Sequence, residues 1–128
     1  VKRLPFVDPD HILLAGCSQG GLVSALSAAE HEQDVRALCL YYPALCIPND
    51  ARGGHMITAR FEPDRIPETF YAITVKLGRK YAADAASLDP YREICSFKKP
   101  VLIVHGIEDK LVNTICRESY VACTRPVA

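Results

Sequence analysis

A chain of 128 residues with 49% hydrophobic content has the size and the apolar share of one ordinary globular domain. Fifteen basic residues balance fifteen acidic ones with no large block of either sign, which argues against a nucleic-acid groove or an anionic membrane surface and leaves small neutral or weakly charged ligands. No apolar run approaches the ~18 residues of a membrane span, and no signal-peptide stretch follows Val1–Pro5, so a soluble cytoplasmic protein is expected.

Residues Ile12 to Ala15 form a short continuous apolar run, and from Leu22 the apolar positions Leu22, Ala25, Leu26 and Ala29 recur at helical spacing. The pattern predicts strand, tight turn, helix. After the charged EHEQDVR, the run ALCLYYPA predicts a second strand closed by Pro43, and KKPVLIVHG predicts a third with Pro100 ahead of it. Such runs suit parallel strands buried on both faces, joined by right-handed crossovers, with ligands at the carboxyl ends of the strands. Between the second and third strands the texture changes. PNDARGGHMITARFEPDRIPETF is rich in turn formers and YAITVKLGRKYAADAASL is expected to be helical, ahead of DPYREI.

The expected organisation is therefore a core segment over 1–45, an inserted cap over 46–99 and a last strand with its following helix over 100–128, one domain in all. Six cysteines, at 17, 39, 46, 95, 116 and 123, show no C-x-x-C pair and no zinc spacing, so they are expected to be buried thiols and no metal is implied.

Gly16-Cys17-Ser18-Gln19-Gly20 fits G-x-S-x-G, in which a strand turns so sharply into a helix that a central serine is held strained between glycines. The pattern arises by chance in about one chain in thirty of this length. Its weight comes from the strand before it and the helix after it. A hydroxyl is a weak nucleophile, so Ser18 must project alone towards a base while the N–H of Gln19 points at the developing oxyanion. Asp109 in VLIVHGIEDKLV, just past the third strand, is the carboxylate that could orient and stabilise a protonated imidazole. Its plainer role is a loop aspartate capping the next helix, and Glu108 is a neighbouring alternative.

Through LLAGCSQGG, ITARFEPDRIPE and SLDPYREICSFKKPVLIVHGIEDKLV, the chain resembles the α/β-hydrolase superfamily and, more narrowly, the bacterial feruloyl (cinnamoyl) esterases. The resemblance implies a partial α/β-hydrolase fold of class α/β, carrying parallel strands of the C-terminal half of the sheet, flanking helices and an inserted cap. It implies ester hydrolysis through an acyl-enzyme on Ser18, with a small-molecule ester as substrate, no cofactor, no nucleic-acid partner and no membrane. In those esterases the cap grips the phenolic end of the substrate, and an acid and a tyrosine meet the ring hydroxyl. Asp50 and Tyr81 match those positions; as plain sequence they read as a turn residue and a packed aromatic.

The chain also departs from that pattern. Cys17 stands where the family commonly has histidine. The family's triad histidine follows the acid, and no histidine follows Asp109. His11, His31, His55 and His105 do not match its position; His105 is expected to be a structural, partly buried group at the strand end. The family's first four strands and its second oxyanion donor would precede Val1. The tail NTICRESYVACTRPVA looks helical through Val121. An internal or truncated portion is therefore expected, a fragment of a working esterase or a degenerate descendant, with little or no activity alone. An open edge at Ile12 to Ala15 predicts self-association or a homo-oligomer. Alternatives are a non-catalytic module that binds aromatic ligands, or another hydrolase activity on peptides or lactones.

Overall fold

Short apolar runs bounded by turn residues build the central sheet of the computed structural model, which describes residues 1–114, 116 and 120. In chain order the elements are β1 (Leu13–Cys17), α1 (Gln19–Glu30), β2 (Ala37–Tyr41), α2 (Ile47–Arg52), β3 (His55–Met56), β4 (Ala59–Arg60), β5 (Thr69–Ala72), β6 (Val75–Gly78), α3 (Arg79–Ser87), α4 (Pro90–Ile94) and β7 (Val101–Val104). The helix expected through Val121 lies mainly outside the described residues.

The chain divides into two compact units, one of 1–45 with the residues from Pro90 on, the other of 46–89. In the first unit the strands are parallel in the order β1-β2-β7, the α/β arrangement expected. That order advances in one direction. Right-handed crossovers then place the intervening helices on one face, and α1 packs against β1, β2 and α4. Leu38 and Leu40 are buried beneath α1, which approaches through its small residues Gly21, Ala25 and Ala28 along with Leu22. The buried stripe thus differs slightly from the expected Leu22, Ala25, Leu26 and Ala29: it includes Gly21, where a Cβ would lie 2.8 Å from Pro43, so the chain approaches there closely enough to exclude a side chain. Residues 90–99, expected at the end of the cap, sit with the sheet unit, where Ile94 and Phe97 are fully buried. Lys99 ties the start of β7 to the turn before β2, its Nζ donating to the carbonyls of Glu32 and Val35 while the Lys98 N–H donates to Glu32 Oε1.

The strands are not buried on both faces. Register sets Ala15, Cys39 and Leu102 side by side on one face and Cys17, Tyr41 and Val104 beside them. Leu13 on β1 is 68% exposed and Leu102 on β7 is 58% exposed, so this face is bare and apolar, and both β1 and β7 alternate in burial rather than being covered throughout. The cysteines meet the expectation of burial only in part: Cys116 is buried, Cys17 is exposed and Cys39 half-buried on that bare face, and Cys46, ahead of α2, is half-buried. Cys95 is disulfide-bonded.

The second unit holds two hairpins and two helices around Ala51, Met56, Phe70, Ala82 and Ala85, with the Phe61 and Phe70 rings 5.2 Å apart. Arg52 clamps it, its guanidinium donating to the carbonyls of Ala86 in the last turn of α3 and of Leu88 just past it. The helix expected over 71–88 is a correction. Residues 69–78 form the β5–β6 hairpin, and helix begins only at Arg79. Phe70 and Ala72 are buried while Thr69 and Tyr71 face outwards, a period of two, and the β-branched Ile73-Thr74-Val75 favours extended backbone over helix. Ile57 and Ile73 take φ of 58° and 59° at the two-residue tips of the two hairpins, and Thr58 Oγ1 accepts the Ile73 N–H at 2.8 Å, joining the tips.

The two faces of the sheet respond differently to truncation. Leu40→Ala, beneath α1, is expected to lower stability by ~2–5 kcal/mol, whereas Leu102→Ser on the bare face changes it by no more than about 0.5 kcal/mol. Urea unfolding of the two variants measures the difference; equal losses would show that the second face is covered.

Candidate active site

The site is built on a strand that has to turn into a helix without a linker. β1 ends at Cys17, α1 starts at Gln19, and Ser18 alone makes the turn, with φ 51° and ψ −123°. A non-glycine residue in that region costs of order 1–3 kcal/mol and persists only where its surroundings fix it. Here they do. The Ser18 N–H donates to the Tyr41 carbonyl at 3.1 Å, and the Ser18 carbonyl accepts from Gly21 at 3.0 Å, Leu22 at 3.3 Å and Ala44 at 2.9 Å. Ser24 Oγ donates to the Ala15 carbonyl at 3.3 Å, holding α1 against β1 one turn further on.

The two glycines of the motif are not equivalent. A Cβ on Gly16 would lie 2.2 Å from the Gly20 carbonyl oxygen, backbone against backbone, so only glycine fits. A Cβ on Gly20 would meet nothing within 4 Å. The expectation that the turn needs glycine on both sides of the serine therefore holds at Gly16 alone. Gln19, as the first residue of α1, carries one of the backbone N–H groups that no intrahelical carbonyl accepts, the donor an oxyanion requires.

Asp109 lies past β7 at the carboxyl end of the same sheet. Its Oδ1 accepts the N–H groups of Leu111 and Val112, each at 2.9 Å, and its own N–H donates to the Gly106 carbonyl. The Val112 and Leu111 hydrogen bonds, with a lesser contribution from His105, hold its carboxyl below the usual carboxylate range. His105 Nε2 stands 3.5 Å from Asp109 Oδ2 and 3.0 Å from the Val112 carbonyl, with the imidazole fully buried. Tyr42, with φ 37°, follows β2; the hydrogen bond between its hydroxyl and the Cys17 thiol raises its pKa.

Asp50 and Tyr81 lie in the other unit, Asp50 on α2 and Tyr81 on α3. Asp50 Oδ1 pairs with His55 Nε2 at 3.0 Å, both side chains part-exposed. Tyr81 packs against the apolar cluster of that unit, and burial pushes its phenol up. Sequence reasoning did not single out His55 as a partner of Asp50 or Tyr42 as a strained neighbour of the serine. The only sequence signal for the first pair was five-residue spacing across a Gly-Gly turn. Among the described residues no group of three or more His, Cys, Asp or Glu side chains could hold a metal, and no helix is long and apolar enough to cross a membrane.

The asymmetry of the glycines is measurable. Gly16→Ala is expected to destabilise the chain by about 1–3 kcal/mol, and Gly20→Ala to be neutral or to stabilise by up to ~1 kcal/mol through better helix propensity. Chemical denaturation of the two variants reads both, and a Gly20→Ala loss as large as that of Gly16→Ala would refute the geometry.

No protein-family model and no curated protein matches the chain. Among solved structures it is similar to Est1E from Butyrivibrio proteoclasticus with ferulic acid bound, with a TM-score of 0.89 and 35% identity over 95% of this chain and 49% of that one. A second structure of Est1E aligns with the same TM-score and identity, over 95% of this chain and 50% of the other. The chain thus spans about half the length of Est1E. At this level of identity the shared course of the backbone, through a parallel sheet with flanking helices, shows that the chain carries part of an α/β-hydrolase fold.

Proposed function

We propose that these residues belong to a serine esterase that hydrolyses hydroxycinnamate esters. The observation that carries the reading is the strained Ser18 between β1 and α1, in a chain whose fold follows that of a protein with ferulic acid bound. In this reading Ser18 Oγ attacks the ester carbonyl and its proton passes to a histidine. The Gln19 N–H holds the oxyanion, the alcohol leaves with a proton returned by that histidine, and water hydrolyses the acyl-enzyme by the reverse path. Asp109 steadies the imidazolium. Asp50 and Tyr81 meet the phenolic hydroxyl of the acyl group. This chemistry runs without metal or organic cofactor.

No histidine follows Asp109 in the 128 residues, and with Nε2–H donated to the Val112 carbonyl the accepting nitrogen of His105, Nδ1, is buried, so no base is assigned among the described residues. The 128-residue chain and its Ser18→Ala variant are therefore expected to release ferulate from methyl ferulate at the same rate. A hybrid in which these residues replace the matching half of Est1E is expected to hydrolyse methyl ferulate and to lose ~10⁶-fold in kcat on Ser18→Ala. In that hybrid, Asp50→Ala or Tyr81→Phe raises KM about tenfold for methyl ferulate and leaves methyl cinnamate, which lacks the hydroxyl, nearly unchanged. A folded hybrid without serine-dependent turnover would overturn the esterase reading. If it still bound ferulic acid irrespective of Ser18, a non-catalytic aromatic-binding role would replace that reading.

The bare apolar face and the open edge of β1 also support self-association of the 128-residue chain, in keeping with its sequence. Size-exclusion chromatography with light scattering is expected to give a mass above that of one chain, reduced by Leu102→Lys. A monomer for the unsubstituted chain would refute this.

A further inference from the structure

The loop after β7 contains a buried imidazole that the proposed mechanism does not use. His105 follows β7 directly, and its side chain has no exposed surface. One ring nitrogen, Nε2, faces the Val112 carbonyl at 3.0 Å and Asp109 Oδ2 at 3.5 Å; the other, Nδ1, is buried and has no hydrogen-bond partner among the described residues. A carbonyl only accepts, so Nε2 must carry the ring proton and donate it. The tautomer is thereby fixed.

The Val112 peptide is then gripped from both sides. Its N–H donates to Asp109 Oδ1 and its carbonyl accepts from His105 Nε2, while the Leu111 N–H donates to the same Oδ1 and the Asp109 N–H donates to Gly106. These bonds close a ring of contacts in which the histidine joins the strand end to the far side of the acid's own turn. We propose that His105 is the positioning residue for Asp109. Its Nε2–H locks the 105–112 loop so that Oδ1 is held by two backbone donors and Oδ2 is kept in one orientation for a histidine donor.

That this loop holds the acid of a triad rests on the esterase reading above; the lock itself does not. In the same geometry His105 is no stand-in for the catalytic base: with the proton on Nε2, the nitrogen left to accept one is Nδ1, which is buried in a side chain that has no exposed surface.

The test uses the 128-residue chain and reads no esterase activity, so its failure is separable from that of the esterase reading. Long-range ¹H–¹⁵N spectra of the unsubstituted chain are expected to show His105 as the Nε2–H tautomer. An Nδ1–H signature would overturn the proposal, even if no variant folds. His105→Leu removes the donor at similar volume, whereas His105→Gln keeps an N–H donor at a comparable reach. Amide exchange at Leu111 and Val112 is expected to accelerate about tenfold or more in His105→Leu, relative to the Leu40 amide, and to return to within about threefold of the unsubstituted rate in His105→Gln. Equal acceleration in both variants, or none in His105→Leu, would show that the imidazole only fills space.

Discussion

The order of the sheet's carboxyl rim depends on the backbone of Ser18. Its carbonyl takes three N–H donors, two from the first turn of α1 and one from Ala44 beyond β2, and its N–H continues the β1–β2 ladder to Tyr41. The next residue of β2's exit repeats the device, with Tyr42 at positive φ and its N–H on the Val104 carbonyl of β7. The hydrogen-bonding of the strands is thus carried past their ends, across all three, to the level where the serine sits. Strain of order 1–3 kcal/mol at such a residue is tolerable only because several independent bonds resist its relaxation. The backbone of the nucleophile candidate is consequently tied into the hydrogen-bonding of the sheet itself.

Direction of travel through the sheet has a second consequence. Moving from β1 to β2 to β7 always the same way, with right-handed crossovers, puts α1 and α4 on one side. Helices for the other side require crossovers that run the opposite way from β1, and none of the crossovers among the described residues does so. The face carrying Leu13, Tyr41, Leu102 and Val104 is apolar because parallel strands are ordinarily covered on both sides. Two of the cysteines expected to be buried, Cys17 and Cys39, lie on this face by register. Their sequence surroundings were those of a two-sided core; the exposure of Cys17 and the partial burial of Cys39 follow from which crossovers are present.

That contrast shows which parts of the structure were legible in the sequence. The elbow was readable because strand, glycine, serine and helix must be contiguous for the geometry to exist, and β7 with its acid loop was readable because VLIV is a short apolar run with a proline before it and turn residues after it. Distance in sequence was irrelevant to both. The β5–β6 hairpin was missed because its tip is Ile73-Thr74 rather than the Asn-Gly or Asp-Gly that announces a two-residue turn, and an isoleucine at φ 59° is a conformation that propensity assigns to glycine. Thr58 Oγ1 on the Ile73 N–H supplies part of what the residue type does not, and that contact spans fifteen residues. The steric demand at Gly16 and its absence at Gly20 was likewise invisible, since the motif treats its glycines alike and only the approach of Gly20's own carbonyl separates them.

Each carboxylate singled out has a histidine within reach, and the two pairs differ in the way their proposed tasks require. Asp109 is fixed by two backbone N–H groups before its histidine contributes, so its carboxylate orientation survives whatever charge arrives at Oδ2. A group that must stabilise a transient imidazolium gains from this, because no reorganisation is needed when the charge forms. Asp50 is fixed by His55 alone among the contacts of its carboxylate described above, with both side chains part-exposed. A phenolic hydroxyl approaching Asp50, on the proposed assignment, has to share the carboxylate with the His55 imidazole or displace it. On the proposed assignment, the backbone-held acid suits chemistry and the side-chain-held acid suits reversible recognition. The difference comes from whether each carboxylate's donors are peptide groups of its own turn or a side chain that can move away.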